Sequence, residues 1–281
     1  MPIRRAAVAG SWYPGTQAAL AAAVDAHLAP IARDLAGDLV ALVAPHAGLM
    51  YSGPVAAQAY RVLRGRRFDV AVLVGPSHFV GFDGVAIYPG GGFETPFGVA
   101  TIDEVCAARL RDASSIAHDN TAVHAREHSL EMQLPFVQRL APGVPIVPVL
   151  MGYQTADTAR ALGDALAVAL SGRNTLIVAS TDLSHYHDAA TAARLDAVVI
   201  DHVARFDADG LQRALDRQPE HACGGGPLVS VMRAAKTLGA RDAVVLDYAD
   251  SGDVSGDKSA VVGYLAAAFG TFDGDGKDGA R

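Results

Sequence analysis

The chain is punctuated by apolar runs that are too short to cross a membrane and too unbroken to alternate: LVALVA at 39–44, DVAVLVG at 69–75, IVPVL at 146–150 and NTLIVAS at 174–180. A strand with water on one face reads apolar-polar-apolar, so runs without that alternation predict strands covered on both faces. Further strands are expected at 84–88, 242–248 and 259–264, with helices between them at 16–29, 54–63, 103–112, 129–140, 155–170, 188–205 and 226–238. Leu20, Val24, Leu28 and Ile31 recur at helical spacing and mark one buried face. Such alternation predicts a three-layer α/β/α domain around a largely parallel or mixed sheet. No linker divides residues 1–270, which are expected to form a single domain. YPGGGFETPFG (88–98) reads as a turn between two short strands, and TFDGDGKDGAR (271–281) as a disordered tail.

Half of the 281 residues are hydrophobic, enough for a large core, and the net charge is −7 with no basic block. That balance argues against nucleic acid as a partner. The short RGRR at 64–67 reads as a solvated helix end. No apolar stretch approaches the ~20 residues of a membrane span. The basic-then-apolar start falls short of the ~7–15 apolar residues of a secretory leader. Two cysteines, Cys106 and Cys223, fit a reducing compartment. A cytoplasmic location is the expectation.

Three apolar runs are followed at once by a histidine: APHAG places His46, GPSHF places His78, and STDLSHY places Asp182 and His185. In open α/β sheets ligands bind at the carboxyl ends of the strands, so these side chains are expected to converge on one rim. Singly, each could be a loop histidine bonded to backbone. Together they suit a metal, because neutral imidazole ligates zinc, iron and copper from separate chain segments. Pro45 and Pro76 stiffen the turns, and Gly48 and Gly75 permit close backbone approach.

REHSLEMQLPF opens a helix with Glu127 and His128, which either start it as ordinary polar residues or lean into the same rim. His118 and His124 read as bystanders, and His27, His187 and His202 as surface or loop residues. In HACGGGP, Cys223 precedes three glycines and Pro227 at a helix start. There the helix dipole would lower the thiol pKa. A small buried cysteine is the plain alternative, with His221 as possible company.

AGSWYPG, APHAGLMYSGP, GPSHF, EHSLEMQLPF, STDLSHY, CGGGP and DSGDVSGDKSAVVGY, in that order, resemble the Memo family, called component B of the AmmeMemoRadiSam system in bacteria and archaea. The resemblance spans residues 1 to about 269. It implies a fold like that of LigB-type class III extradiol dioxygenases. It also implies a metal, iron(II) first and copper second, on His46, His78 and Cys223. Asp182 and His185 would stand beside that metal as proton-handling groups. Trp12 would line the pocket mouth, with Glu127 and His128 at its wall. Functional association with radical SAM and AMMECR-type proteins is a further implication. Dioxygenases complete the set with a carboxylate where this chain has Cys223, which speaks against catechol ring cleavage. Three functions compete on this reading. One is a metal-dependent redox enzyme with a small substrate. The second is an adaptor holding a peptide or anion in the same pocket, and the third is metal-free cysteine nucleophile chemistry.

Overall fold

The computed structural model describes residues 2–30 and 35–273. Its elements are β1 (Ile3–Arg4), α1 (Gln17–Leu28), β2 (Gly37–Ala44), α2 (Leu49–Arg61), β3 (Val70–Pro76), β4 (Val85–Ile87), β5 (Gly92–Thr95), β6 (Gly98–Thr101), α3 (Glu104–Asp112), β7 (Ala117–Asp119) and α4 (Leu134–Leu140). There follow β8 (Ile146–Met151), α5 (Ala156–Leu170), β9 (Thr175–Ser180), β10 (His185–His187), α6 (Ala189–Ala204), α7 (Ala208–Arg217), α8 (Gly225–Thr237), β11 (Asp242–Asp250), α9 (Gly252–Ser255) and β12 (Val261–Phe272).

The main sheet runs β10-β12-β2-β9-β3-β8-β4-β7, with β11 also on β12. β2, β9, β3 and β8 are mutually parallel, while β12 and β4 join them antiparallel, so the sheet is mixed. Every residue of β3, β8 and β9 is buried, as unbroken apolar runs require. The chain crosses from β2 through α2 to β3, over β9, and returns from β8 through α5 to β9, over β3. Right-handed crossovers in opposite directions put α2 and α5 on opposite faces. Accordingly α2 packs on β2, β11 and β12 with α1 and α4, whereas α5 packs on α8, which lies on β9 and β3. This makes three layers. It also opens a crevice at the carboxyl ends of β2, β9 and β3, where the connections diverge.

YPGGGFETPFG supplies β5 and the start of β6, an antiparallel hairpin extended by β1 into a separate three-stranded sheet. The helix expected from Pro54 starts at Leu49, whose N–H donates to the Trp12 carbonyl (2.8 Å). The expected 129–140 helix divides into a 3₁₀ turn, Glu131–Gln133, and α4, with Pro135 in its first turn. β12 continues to Phe272, two residues into the expected tail, because it pairs with β2 to that point. Residues 274–281 of that tail lie outside the described residues, as does Ile31 of the first helical face.

Candidate metal centre

Register brings the rim together. Ala44 of β2 pairs with Ser180 of β9, and Val74 of β3 with Ala179, so the three strands end at one level. Pro45–His46, Thr181–Asp182 and Ser77–His78 follow directly. Two glycines let other segments press onto these ends. A Cβ on Gly75 would meet the Leu130 and Ser129 side chains at 2.8 and 3.0 Å; one on Gly224 would meet the Ser180 carbonyl at 2.5 Å. The first admits the 127–131 loop, and the second the Cys223 turn.

One nitrogen from each of His46, His78 and His128 falls within 4.8 Å of the others. His46 and His128 are buried, and His78 is on the open side. The His78 and His128 rings stack, 4.6 Å apart and 15° from parallel. His128, expected as pocket wall, therefore stands inside the donor cluster. Cys223 Sγ meets His46 Nε2 at 3.2 Å.

The tautomer of His46 follows from counting protons. The Ser180 hydroxyl donates to the Ser129 carbonyl (2.7 Å) and accepts from Gln133 Nε2 (2.8 Å). Gln133 is itself fixed, because the same nitrogen donates to the Pro45 carbonyl (3.1 Å). A hydroxyl has one hydrogen, so at 2.9 Å from Ser180 Oγ it is His46 Nδ1 that carries the proton. Nε2 keeps its lone pair. His78 Nδ1–H donates to Glu127 Oε1 (2.9 Å), and His185 Nδ1–H to the Leu183 carbonyl (2.8 Å). Their Nε2 lone pairs are free as well. Metal-ligating imidazoles are commonly fixed in this way, by an oxygen on the second nitrogen.

Glu127 is the pivot of the wall. Its carboxylate accepts from His78 N (2.6 Å) and Nδ1, from His128 N (2.8 Å) and from Ser129 N (2.9 Å). Burial would raise its pKa, but the His78 bonds, the attraction of that ring when protonated and the Ser129 backbone N–H outweigh it and hold the carboxyl at about 2. Burial keeps the other imidazoles neutral: His128 falls to about 4, and His46 and His185 fall below the usual histidine range.

Asp182 accepts the His46 backbone N–H at Oδ1 (2.7 Å), and burial pushes its carboxyl up to about 7. It thus buttresses His46, while the orienting partner of His185 is the Leu183 carbonyl. The Cys223 thiol departs from expectation. Burial first, then the Asp182 charge, push its pKa up. The helix start does not reverse this: α8 begins two residues later, and two of the donors at its start bond other groups. Gly224 N–H goes to Thr181 Oγ1 (2.9 Å) and Gly226 N–H to Gln154 Oε1 (2.8 Å).

Trp12 leans on His128, ring centroids 4.3 Å apart, at the rim. Its arm is tied down by Arg4 and Glu131, two charged residues that nothing in the sequence sets apart from surface ones. They form a buried pair (2.6 Å). Glu131 also accepts from Ala7 N, Val8 N and the Tyr13 hydroxyl, and Arg4 reaches the His124 and Glu127 carbonyls. The remaining histidines are occupied elsewhere. His124 bonds the Ala86 carbonyl, His221 the Leu195 carbonyl and His202 Asp207, and the His118 ring lies against Phe82. His27 packs under Gly53 of α2, and His187 ends β10.

The donor set suits a first-row transition metal: imidazole nitrogens with lone pairs fixed inward, and one sulfur beside them. Among known proteins, a solved structure described as an uncharacterized protein from Escherichia coli K12 shares the fold at a TM-score of 0.55 and 16% identity, covering 81% of this chain and 99% of its own. A MEMO1 family protein of Nitrosopumilus maritimus is 35% identical over 95% of this chain and 99% of its own length. One from Pyrobaculum aerophilum is 38% identical over 96% and 99%. The family model described as Memo-like protein matches residues 4–268. The chain belongs to the Memo family.

Proposed function

We propose that this chain is a metal-dependent redox enzyme acting on a small substrate. Its ion would be held by His46, His78 and Cys223 with His128 beside them, iron(II) ahead of copper. The observation that carries the reading is the pair of fixed tautomers. Ser180 and Glu127 each take an Nδ1 proton, so His46 and His78 offer Nε2 lone pairs to a shared point. When bound, such an ion would supply redox chemistry on dioxygen or a small molecule.

The protein's own tasks divide by position. Glu127 and Ser180 hold the two imidazoles, and Asp182 fixes the His46 backbone. His185, neutral and with Nε2 free, is the proton acceptor. The raised thiol pKa weighs against metal-free nucleophilic catalysis by Cys223. Work alongside radical SAM and AMMECR-type proteins, in the cytoplasm, belongs to the same proposal.

Two variants test the division. His185→Ala should keep its iron and lose dioxygen consumption by a factor on the order of 10²–10⁴. Cys223→Ser should lose the metal, since a hydroxyl is a poor ligand for a soft site. If His185→Ala empties the site as fully as Cys223→Ser, His185 is a ligand. Full metal loading with no redox turnover on any substrate would favour the adaptor.

A further inference from the structure

His185 stands on a turn that cannot hold its shape alone. The next residue, Tyr186, has a φ of 63°, a strained setting for a large side chain that persists only where neighbours fix the backbone. Part of that support is β12. Leu183 N–H donates to the Gly263 carbonyl (2.8 Å), and Gly263 N–H to the Ser184 carbonyl (3.0 Å). His185 and His187 then pair with Val262 and Val261. The turn is also held by a side chain from α6. Asp196 accepts the Ser184 N–H at Oδ1 (2.9 Å), and its Oδ2 accepts from the Tyr248 hydroxyl of β11 (2.8 Å).

Asp196 is fully buried. Among the described residues no lysine or arginine pairs with it, whereas Glu131 has Arg4 and Asp250 has Lys258. A buried carboxylate without a cation is costly, and apolar packing would serve the fold better. The chain nevertheless makes room for it. A Cβ on Gly263 would lie 2.0 Å from Asp196 Oδ2, so only glycine there lets the carboxylate reach the turn. Its bond to Ser184 acts one residue before His185, whose ring is tied at Nδ1 and free at Nε2.

We propose that Asp196 is a positioning residue for His185: it fixes the turn that carries this ring at the rim of the metal centre. The proposal rests on the reading of His185 as the proton acceptor. Asparagine at 196 can keep the acceptor for Ser184 N–H and meet the Tyr248 oxygen with its amide, whereas alanine can do neither.

The test labels the full-length, metal-free protein with diethyl pyrocarbonate, which acylates neutral imidazole nitrogens at a rate set by access. Mass spectrometry of peptides reads each histidine separately. His221 is the control, because its ring bonds the Leu195 carbonyl and reports on α6 itself. Asp196→Ala should raise the His185 rate several-fold and leave His221 unchanged, and Asp196→Asn should return His185 to the wild-type rate. Gly263→Ala, which pushes the carboxylate away from the other side, should act like Asp196→Ala and decides the matter if that variant does not fold. A His185 rate unchanged in both alanine variants, an Asp196→Asn rate as fast as Asp196→Ala, or a His221 rate that rises with His185 would each overturn the proposal. In iron-loaded protein, Asp196→Ala should keep its iron and lose roughly 10-fold or more in dioxygen consumption, with Asp196→Asn close to wild type. Wild type that consumes no dioxygen would overturn the redox reading instead, and the labelling still decides the role of Asp196.

Discussion

Replacing Glu127 by glutamine removes a charge from the point on which His78 and His128 both hang. Glutamine can place its carbonyl at the Oε1 position and keep the bonds from His78 Nδ1, His128 N and Ser129 N. Its amide nitrogen then faces the His78 backbone N–H, donor against donor. The wild-type carboxyl is held at about 2 against an ordinary 4.5, a difference worth ~3 kcal/mol to the folded protein at neutral pH. The group is buried, so solvent screening takes little from that figure. A depressed carboxyl contributes its stability above the unfolded pKa and loses it as pH falls toward the folded one. The advantage of wild type over Glu127→Gln should therefore be ~2–3 kcal/mol at pH ~7, with more than half gone by pH ~3. Urea midpoints across that range measure it. A gap under ~0.5 kcal/mol at neutrality, or one that does not shrink on acidification, would refute the reasoning. Metal affinity should fall in the same variant by about 10–100-fold, because a neutral amide oxygen orients His78 Nδ1–H more weakly than the carboxylate and the His78 backbone N–H loses its acceptor.

Arg4→Met should cost ~3–5 kcal/mol, since it strands the buried Glu131 carboxylate. Red-shifted Trp12 emission would report the loosened arm, and an unchanged urea midpoint would contradict the strap. Metal-free Cys223 should react with iodoacetamide at neutral pH more slowly than a free thiol, and fast labelling would show that burial does not control it. Asp182, held at about 7 by burial, costs the metal-free protein stability as pH rises from ~4 toward 7. Asp182→Asn should therefore gain stability relative to wild type across that window, and equal pH profiles of urea stability would count against this.

The sheet was legible because β2, β3, β8 and β9 are covered on both faces, which leaves continuous apolar runs in the sequence. Their carboxyl ends placed His46, His78 and Asp182 on one rim without any side-chain detail. What escaped was of other kinds. β1, β7 and β10 are two or three residues long and carry no period. Helix α7 carries Asp209, Arg213, Asp216 and Arg217, and its few apolar positions left it unread. The supports of the site were hidden because Arg4, Glu131 and Gln133 are buried polar residues, and polarity in a sequence reads as surface. Their partners lie more than 45 positions away in the chain, so no spacing announces them. The expected low-pKa thiol failed for the same reason: the local helix start was visible, but the burial of Cys223 and the carboxylate of Asp182 were not.

The central claim is that His46, with its proton fixed on Nδ1, offers Nε2 to a bound redox metal. Anaerobic purification followed by metal quantification, on wild type and His46→Ala together, tests it most directly. The account predicts close to one iron or copper ion per wild-type chain, and metal at background in His46→Ala with the fold intact by circular dichroism. Wild-type protein that stays empty when offered iron(II) and copper, or a His46→Ala variant that loads as fully as wild type, would contradict it.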